Sequence, residues 1–266
     1  RPADAAWIWA ATGLAIFAII SEPTVRLLLT KATPVAVQLP GFPAVPRPPF
    51  NPIFVTLAAV GEAAVGGVLA LLGAPGWCYL LIVIIGTMSA VIMVGYAIRA
   101  VMISRSSAIG IRKALQQYQP EFCVYYAARN GARYQLGMWL PYLERLNRRF
   151  IVITRHPHTV AEITELTSAP VLLPKLKSAH GRLWHLVVDS LKAAFYVQNH
   201  QANVDLLRFP RLTHIWLNHG DSDKAANYSA RHAAFDKVFV SGQQGVERYA
   251  AHGVRIRPDQ FAIVGR

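Results

Sequence analysis

Histidine, arginine and asparagine gather at four short stretches: Arg129-Asn130-Gly131, Arg155-His156-Pro157-His158, Asn199-His200-Gln201-Ala202-Asn203 and Asn218-His219-Gly220-Asp221-Ser222-Asp223-Lys224. The last has the most specific makeup. His219 follows an apolar run, Gly220 lets the backbone turn tightly, Asp221 or Ser222 can cap a helix, and Lys224 falls in its first turn. Backbone N–H groups at a helix start, backed by a lysine, hold phosphate, and a histidine beside them can take a proton from a hydroxyl. Asp221 and Ser222 would serve equally as plain N-caps, and His219 as a hydrogen-bonded structural histidine.

Other chemistries fail on spacing. His156 and His158 are two apart, with no second cysteine or histidine cluster to complete a zinc set, so no metal or cofactor is expected. Neither GxxxxGK[ST] nor a GxGxxG after a strand is present, and Ser241-Gly242 lacks the GxSxG elbow. Cys78 and Cys123 are too few for a disulfide framework. The formal net charge of +13 calls for an anionic partner, such as lipid head groups or a phosphorylated substrate. Basic residues are not interleaved with aromatics on one face, which argues against nucleic acid.

The elements that would carry these loops run from residue 121 onward, where short apolar β-type runs alternate with helical stretches. Strands are expected at 122–128, 150–155, around Pro170-Val171-Leu172-Leu173-Pro174, near Phe195, at 213–218, 237–242 and 261–265. Helices are expected at 133–147, with Leu136, Leu140, Leu143 and Leu146 on one face, and at 158–167, 224–234 and up to about His252. Strand and helix in turn give an α/β fold with a Rossmann-like, doubly wound parallel sheet. Ligands bind such sheets at the carboxyl ends of the strands, where the four loops fall.

The first part of the chain has another character. With 53% hydrophobic and 15% charged residues among 266, the apolar excess concentrates before residue 104. Residues 78–98 are an uncharged run long enough to span a bilayer, 53–74 make a second span, and 5–20 a shorter first one. A membrane domain of about three helices over 1–104, with a proline-rich extended connector at 32–52, therefore precedes an α/β domain over 105–266. Arg26, Lys31 and Arg47 lie before the hairpin and Arg99, Arg105, Arg112 and Lys113 after it, which places both flanks on the cytoplasmic face of a multi-pass protein in the cell membrane. Glu62, inside the second span, is a functional candidate by its position alone, against packing on a neighbouring helix as its other role. The chain starts at Arg1 and ends where a strand hands over to a loop, so it reads as a piece of a longer protein.

The stretch YVQNHQANVDLLRFPRLTHIWLNHGDSDK, continuing through KVFVSGQQGVERYAAHGV to FAIVGR, resembles the CDP-glycerol glycerophosphotransferase family, the teichoic-acid-type polymerases and primases. It is similar to that family's strand followed by WHGTPLK, with Trp216 displaced by two residues and Asp-Ser-Asp in place of Thr-Pro-Leu. The resemblance covers about seventy residues, 196–266. It implies the N-terminal, acceptor-side half of a GT-B architecture, with a CDP-gripping half beyond Arg266. Implied partners are a CDP-activated alditol donor, a lipid-linked cell-envelope acceptor and membrane lipid. His219 matches the family's general base, assisted by Asp221, while Lys224, Gly220, Ser222, Asn218, Asn199 and Arg129 would surround substrate and phosphate. A nucleotide-sugar glycosyltransferase of the same architecture and a non-catalytic membrane binding protein are the alternatives.

Overall fold

Long apolar sequence without turn residues favours helix, which satisfies its own backbone hydrogen bonds. The first half of the chain forms three: α1 (Pro2–Lys31), α2 (Ile53–Leu71) and α3 (Gly76–Tyr118). A computed structural model describes residues 2–31, 34–43, 51–174, 183–217 and 227–265. It divides into one unit of Arg1–Thr33 and Val45–Ser107 and a second of Pro34–Ala44 and Ala108–Arg266.

In the first unit all three helices are long and apolar enough to cross a membrane. The first apolar stretch, Ala5–Leu28, is longer than the 5–20 expected, and α3 runs on past the 78–98 span to Tyr118. Helix α2 ends in a Schellman turn: Gly73 takes φ +65°, its N–H donates to Ala70 O, and Ala74 N–H donates to Leu69 O. Ala15 and Ala18 of α1 meet Ala59 of α2, while Val25, Val55, Met93 and Tyr96 form a second cluster. Glu62 is buried, with Ser89 Oγ donating to its Oε1 at 3.3 Å. A Cβ at Gly86 would stand 3.1 Å from Glu62 Oε2, so the glycine makes room for the carboxyl.

The second unit is built on one sheet: β1 (Val35–Val37), β2 (Phe122–Tyr126), β3 (Phe150–Thr154), β4 (Val171–Leu173), β5 (Ala193–Tyr196), β6 (Thr213–Trp216), β7 (Lys237–Val240) and β8 (Phe261–Ile263). Their spatial order is β1-β4-β3-β2-β5-β6-β7-β8. Every pairing is parallel except β1 with β4. From β2 the chain winds outward through β3 to β4, returns to β5 on the other side of β2, and winds the opposite way to β8. The order reverses between β2 and β5, as in doubly wound sheets.

Strands β2 and β3 are buried along their whole length, as a covered parallel sheet requires. On one face Cys123, Tyr125, Ile151, Ile153 and Tyr196 pack with Ile111 and Leu115 of α3 and with Leu183, Leu186 and Leu191 of the return crossover. On the other, Phe122, Val124, Phe150 and Val152 pack with helices α4 (Ala132–Gly137), α5 (Leu140–Glu144) and α6 (Pro157–Thr164).

The mixed α/β class and the largely parallel sheet follow the sequence expectation, with local differences. The helix expected over 133–147 is two short ones, α4 and α5, because Pro141 has no N–H to continue the ladder. Leu136, Leu140 and Leu143 are buried, but Leu146 lies past the end of α5 at Glu144 and is exposed. Part of the proline-rich connector is strand β1. Of the helix expected over 224–234, residues 224–226 lie outside the described residues and Ala230–Ala234 is a 3-10 turn. A short helix α7 (Val204–Leu207) and helix α8 (Gln243–Ala251) complete the second unit.

His232 sits in that 3-10 turn, fully buried, its ring stacked on Trp216 at 4.3 Å and its Nδ1 2.7 Å from Tyr249 Oη. Burial pushes its imidazole down to about 4. The unfolded chain takes up this proton near pH 6.5, so His232 stabilises the fold fully above about pH 6.5. That contribution, roughly 3 kcal/mol, drains away as pH falls toward 4. Thermal unfolding of wild type and His232→Gln, followed by tryptophan fluorescence, should show a stability gap that narrows between pH 7 and pH 4.5. A gap independent of pH would refute this.

Candidate functional site

The strand reversal puts the loops after β2 and β5 side by side, with the loop after β3 flanking them, and each is shaped by its own residues. After β2 the chain runs through Arg129 and Asn130 to Gly131, whose φ of +85° lies in the left-handed region and which caps α4. Tyr126 fixes this turn from below, its hydroxyl donating to Asn130 O at 2.5 Å. Burial, with Glu162 nearby, pushes the Tyr126 hydroxyl up to about 12, so it stays a donor across the physiological range.

After β3, Arg155 pairs through its guanidinium with the Asp205 carboxylate on α7, and also donates to Tyr125 Oη at 3.4 Å. Tyr125 in turn donates to Ala202 O at 3.3 Å. Arg155 follows β3 and Asp205 follows β5, so the ion pair bridges over β2 at the reversal. The rings of His156 and His158 lie 5.6 Å apart, and His158 Nε2 is hydrogen-bonded to Arg129 O. Burial first, then the neighbouring His158, lowers the affinity of His156 for a proton.

After β5, His200 Nδ1 accepts the Ala202 N–H at 3.1 Å, capping the 3-10 turn Gln201–Asn203. This bond leaves the ring neutral with its proton on Nε2, and burial together with the nearby Arg155 charge keeps its pKa low. Asn203 Nδ2 donates to Gln198 O at 2.7 Å and ties the turn to the end of β5. Asn199 is exposed just before it.

Of the residues singled out from sequence, Arg129 and Asn199 therefore lie at the carboxyl ends of adjacent strands on either side of the reversal. Asn218, His219, Gly220, Asp221, Ser222 and Lys224 lie outside the described residues. Arg155 was visible in sequence only as a loop residue, and Asp205 carried no signal, because its partner is chosen by strand order. Together the loops offer cationic and N–H donor groups beside two histidines of lowered proton affinity. Groups of this kind are able to bind and orient phosphate oxygens. Among the described residues no three His, Cys, Asp or Glu side chains cluster to hold a metal.

No known protein family, curated protein or solved structure matches this chain.

Proposed function

We propose that the protein is a membrane-anchored transferase that moves an alditol phosphate, glycerol phosphate in the first instance, from a CDP-activated donor to a lipid-linked acceptor. The observation that carries this reading is the reversal of strand order between β2 and β5, with Arg129, Arg155, His156, Asn199 and His200 gathered in its loops. Crevices of that kind hold phosphorylated ligands against backbone N–H and cationic side chains. The resemblance of residues 196–266 to glycerophosphotransferases supplies the reaction class and assigns His219 as base and Lys224 as phosphate ligand. A second half of a GT-B architecture would hold the CDP moiety.

Three apolar helices suit a substrate that stays in the bilayer. Strand β1 comes between α1 and α2 yet belongs to the sheet that follows α3, which requires both segments to lie on one side of any bilayer the helices cross. Arg26 and Lys31 at the end of α1 with Arg47 after it, and Arg105, Arg112 and Lys113 in the last part of α3, support the cytoplasmic side for both segments.

The test is transfer of labelled glycerol phosphate from CDP-glycerol into extracted lipid by the full-length protein in membranes. Label in lipid, absent when a nucleotide-sugar replaces CDP-glycerol, supports the assignment. Label entering lipid only from the nucleotide-sugar would replace it with a glycosyltransferase, and label from neither would leave a binding protein.

A further inference from the structure

A pocket of about 380 Å³ lies between the segment that follows β5 and the 3-10 turn Ala230–Ala234, within the size range of small-ligand sites. Val204, Leu207 and Phe235 give it apolar walls, while Asn199, His200 and Arg231 give it polar ones. Among the described residues no carboxylate lines it. Asp205, next in sequence to Val204, is held by Arg155. Arg231 is exposed, and its guanidinium has no hydrogen bond or ion pair among the described residues, its backbone N–H alone being engaged, by Ser229 Oγ. The bond from Ala202 N–H to His200 Nδ1 leaves the Nε2–H of that ring as a donor.

Such a lining selects by chemistry. A permanent cation with two further donors and no carboxylate among the described lining calls for an anion, and three donor side chains suit the three terminal oxygens of a phosphate better than the two of a carboxylate. The apolar walls would be wasted on inorganic phosphate, since burying hydrocarbon there is where the remaining affinity lies.

We propose that this pocket binds a phosphate ester carrying an apolar chain, with the phosphate on Arg231, His200 Nε2–H and Asn199 and the chain against Val204, Leu207 and Phe235. The site shares Asn199 and His200 with the crevice of the proposed transferase but concerns binding, which is measured without transfer, so the two readings can fail separately. Two sources share this chemistry: a phosphate-headed lipid in the bilayer, or a soluble alkyl phosphate.

Binding is measured by calorimetry on the full chain in phosphatidylcholine nanodiscs, with octyl phosphate, inorganic phosphate and cytidine monophosphate as probes. Octyl phosphate should bind at least about tenfold more tightly than inorganic phosphate. Arg231→Gln, at an exposed position where folding is not at stake, should weaken it by about tenfold, the loss of one charge-assisted contact. Val204→Asp, which sets a carboxylate among the apolar walls, should weaken octyl phosphate more than inorganic phosphate. Phosphatidic acid built into the nanodisc will displace octyl phosphate if the source is the bilayer, whereas displacement only by soluble dihexanoyl phosphatidic acid assigns the soluble pool. Equal affinity for octyl and inorganic phosphate, unchanged binding by Arg231→Gln, or displacement by cytidine monophosphate alone would overturn the proposal.

Discussion

His219→Ala should lower the rate of glycerol phosphate transfer by on the order of 10² to 10⁴, the usual contribution of a positioned general base. An acceptor hydroxyl is a weak nucleophile. As its oxygen bonds to the β-phosphorus of CDP-glycerol and the bond to the leaving CMP breaks, its proton must go to a neutral base within hydrogen-bond reach. His219 is the residue that the glycerophosphotransferase resemblance assigns to this task, with Lys224 meeting charge on the phosphoryl oxygens. The loss should fall on kcat, with donor affinity little changed, and the variant should lose the low-pH limb of the rate profile. A variant turning over like wild type would remove His219 from the chemistry while leaving the crevice between the loops after β2 and β5 untouched.

Arg155→Met should destabilise the second unit by about 3 kcal/mol, because it strands a carboxylate that water reaches poorly. Asp205 keeps only 9% of its side chain exposed, whereas Arg155 keeps 23%. The two single variants should therefore differ: Asp205→Asn leaves a guanidinium that can turn toward solvent and should cost nearer 1 kcal/mol. The double variant Arg155→Met/Asp205→Leu should recover most of the loss, since neither charge is then left unpaired. Because the pair bridges the strand reversal, Arg155→Met should also loosen the turn Gln201–Asn203, visible as faster amide exchange at Ala202 and Asn203. Chemical unfolding of the three variants gives the energies, and losses below about 0.5 kcal/mol in both single variants would show the pair to be only a surface contact.

Much of this architecture is legible from local pattern. The runs Phe122–Tyr126 and Phe150–Thr154 are short, apolar and bounded by turns, so they read as strands covered on both faces, as they are. The span 78–98 and its neighbours read as helices for the same local reason. What escapes is set by distant partners. Val35–Val37 is three residues among prolines, and nothing near it announces that Leu173, Leu172 and Val171 will complete its ladder. Leu146 fits the helical spacing of Leu136, Leu140 and Leu143, yet α5 stops at Glu144, so the periodicity has no helix to act through at Leu146. For the site, Arg129 and Asn199 can be picked because they follow strands. The bridge from Arg155 to Asp205 needs the strand order, and strand order is not written in any window of sequence.

Strand β1 also dictates a timetable. It emerges from the ribosome before α2 and α3, while its partner β4 emerges after both. The outer rim of the sheet therefore cannot be finished until the helical hairpin has been made. Until then Val35–Val37 keeps an unpaired row of N–H and C=O groups, the kind of edge through which nascent chains stick to one another. Making the hairpin and completing the sheet are therefore coupled steps of biogenesis. A fragment beginning at Ala108 would be born with that rim uncovered, however well the rest of its core is packed.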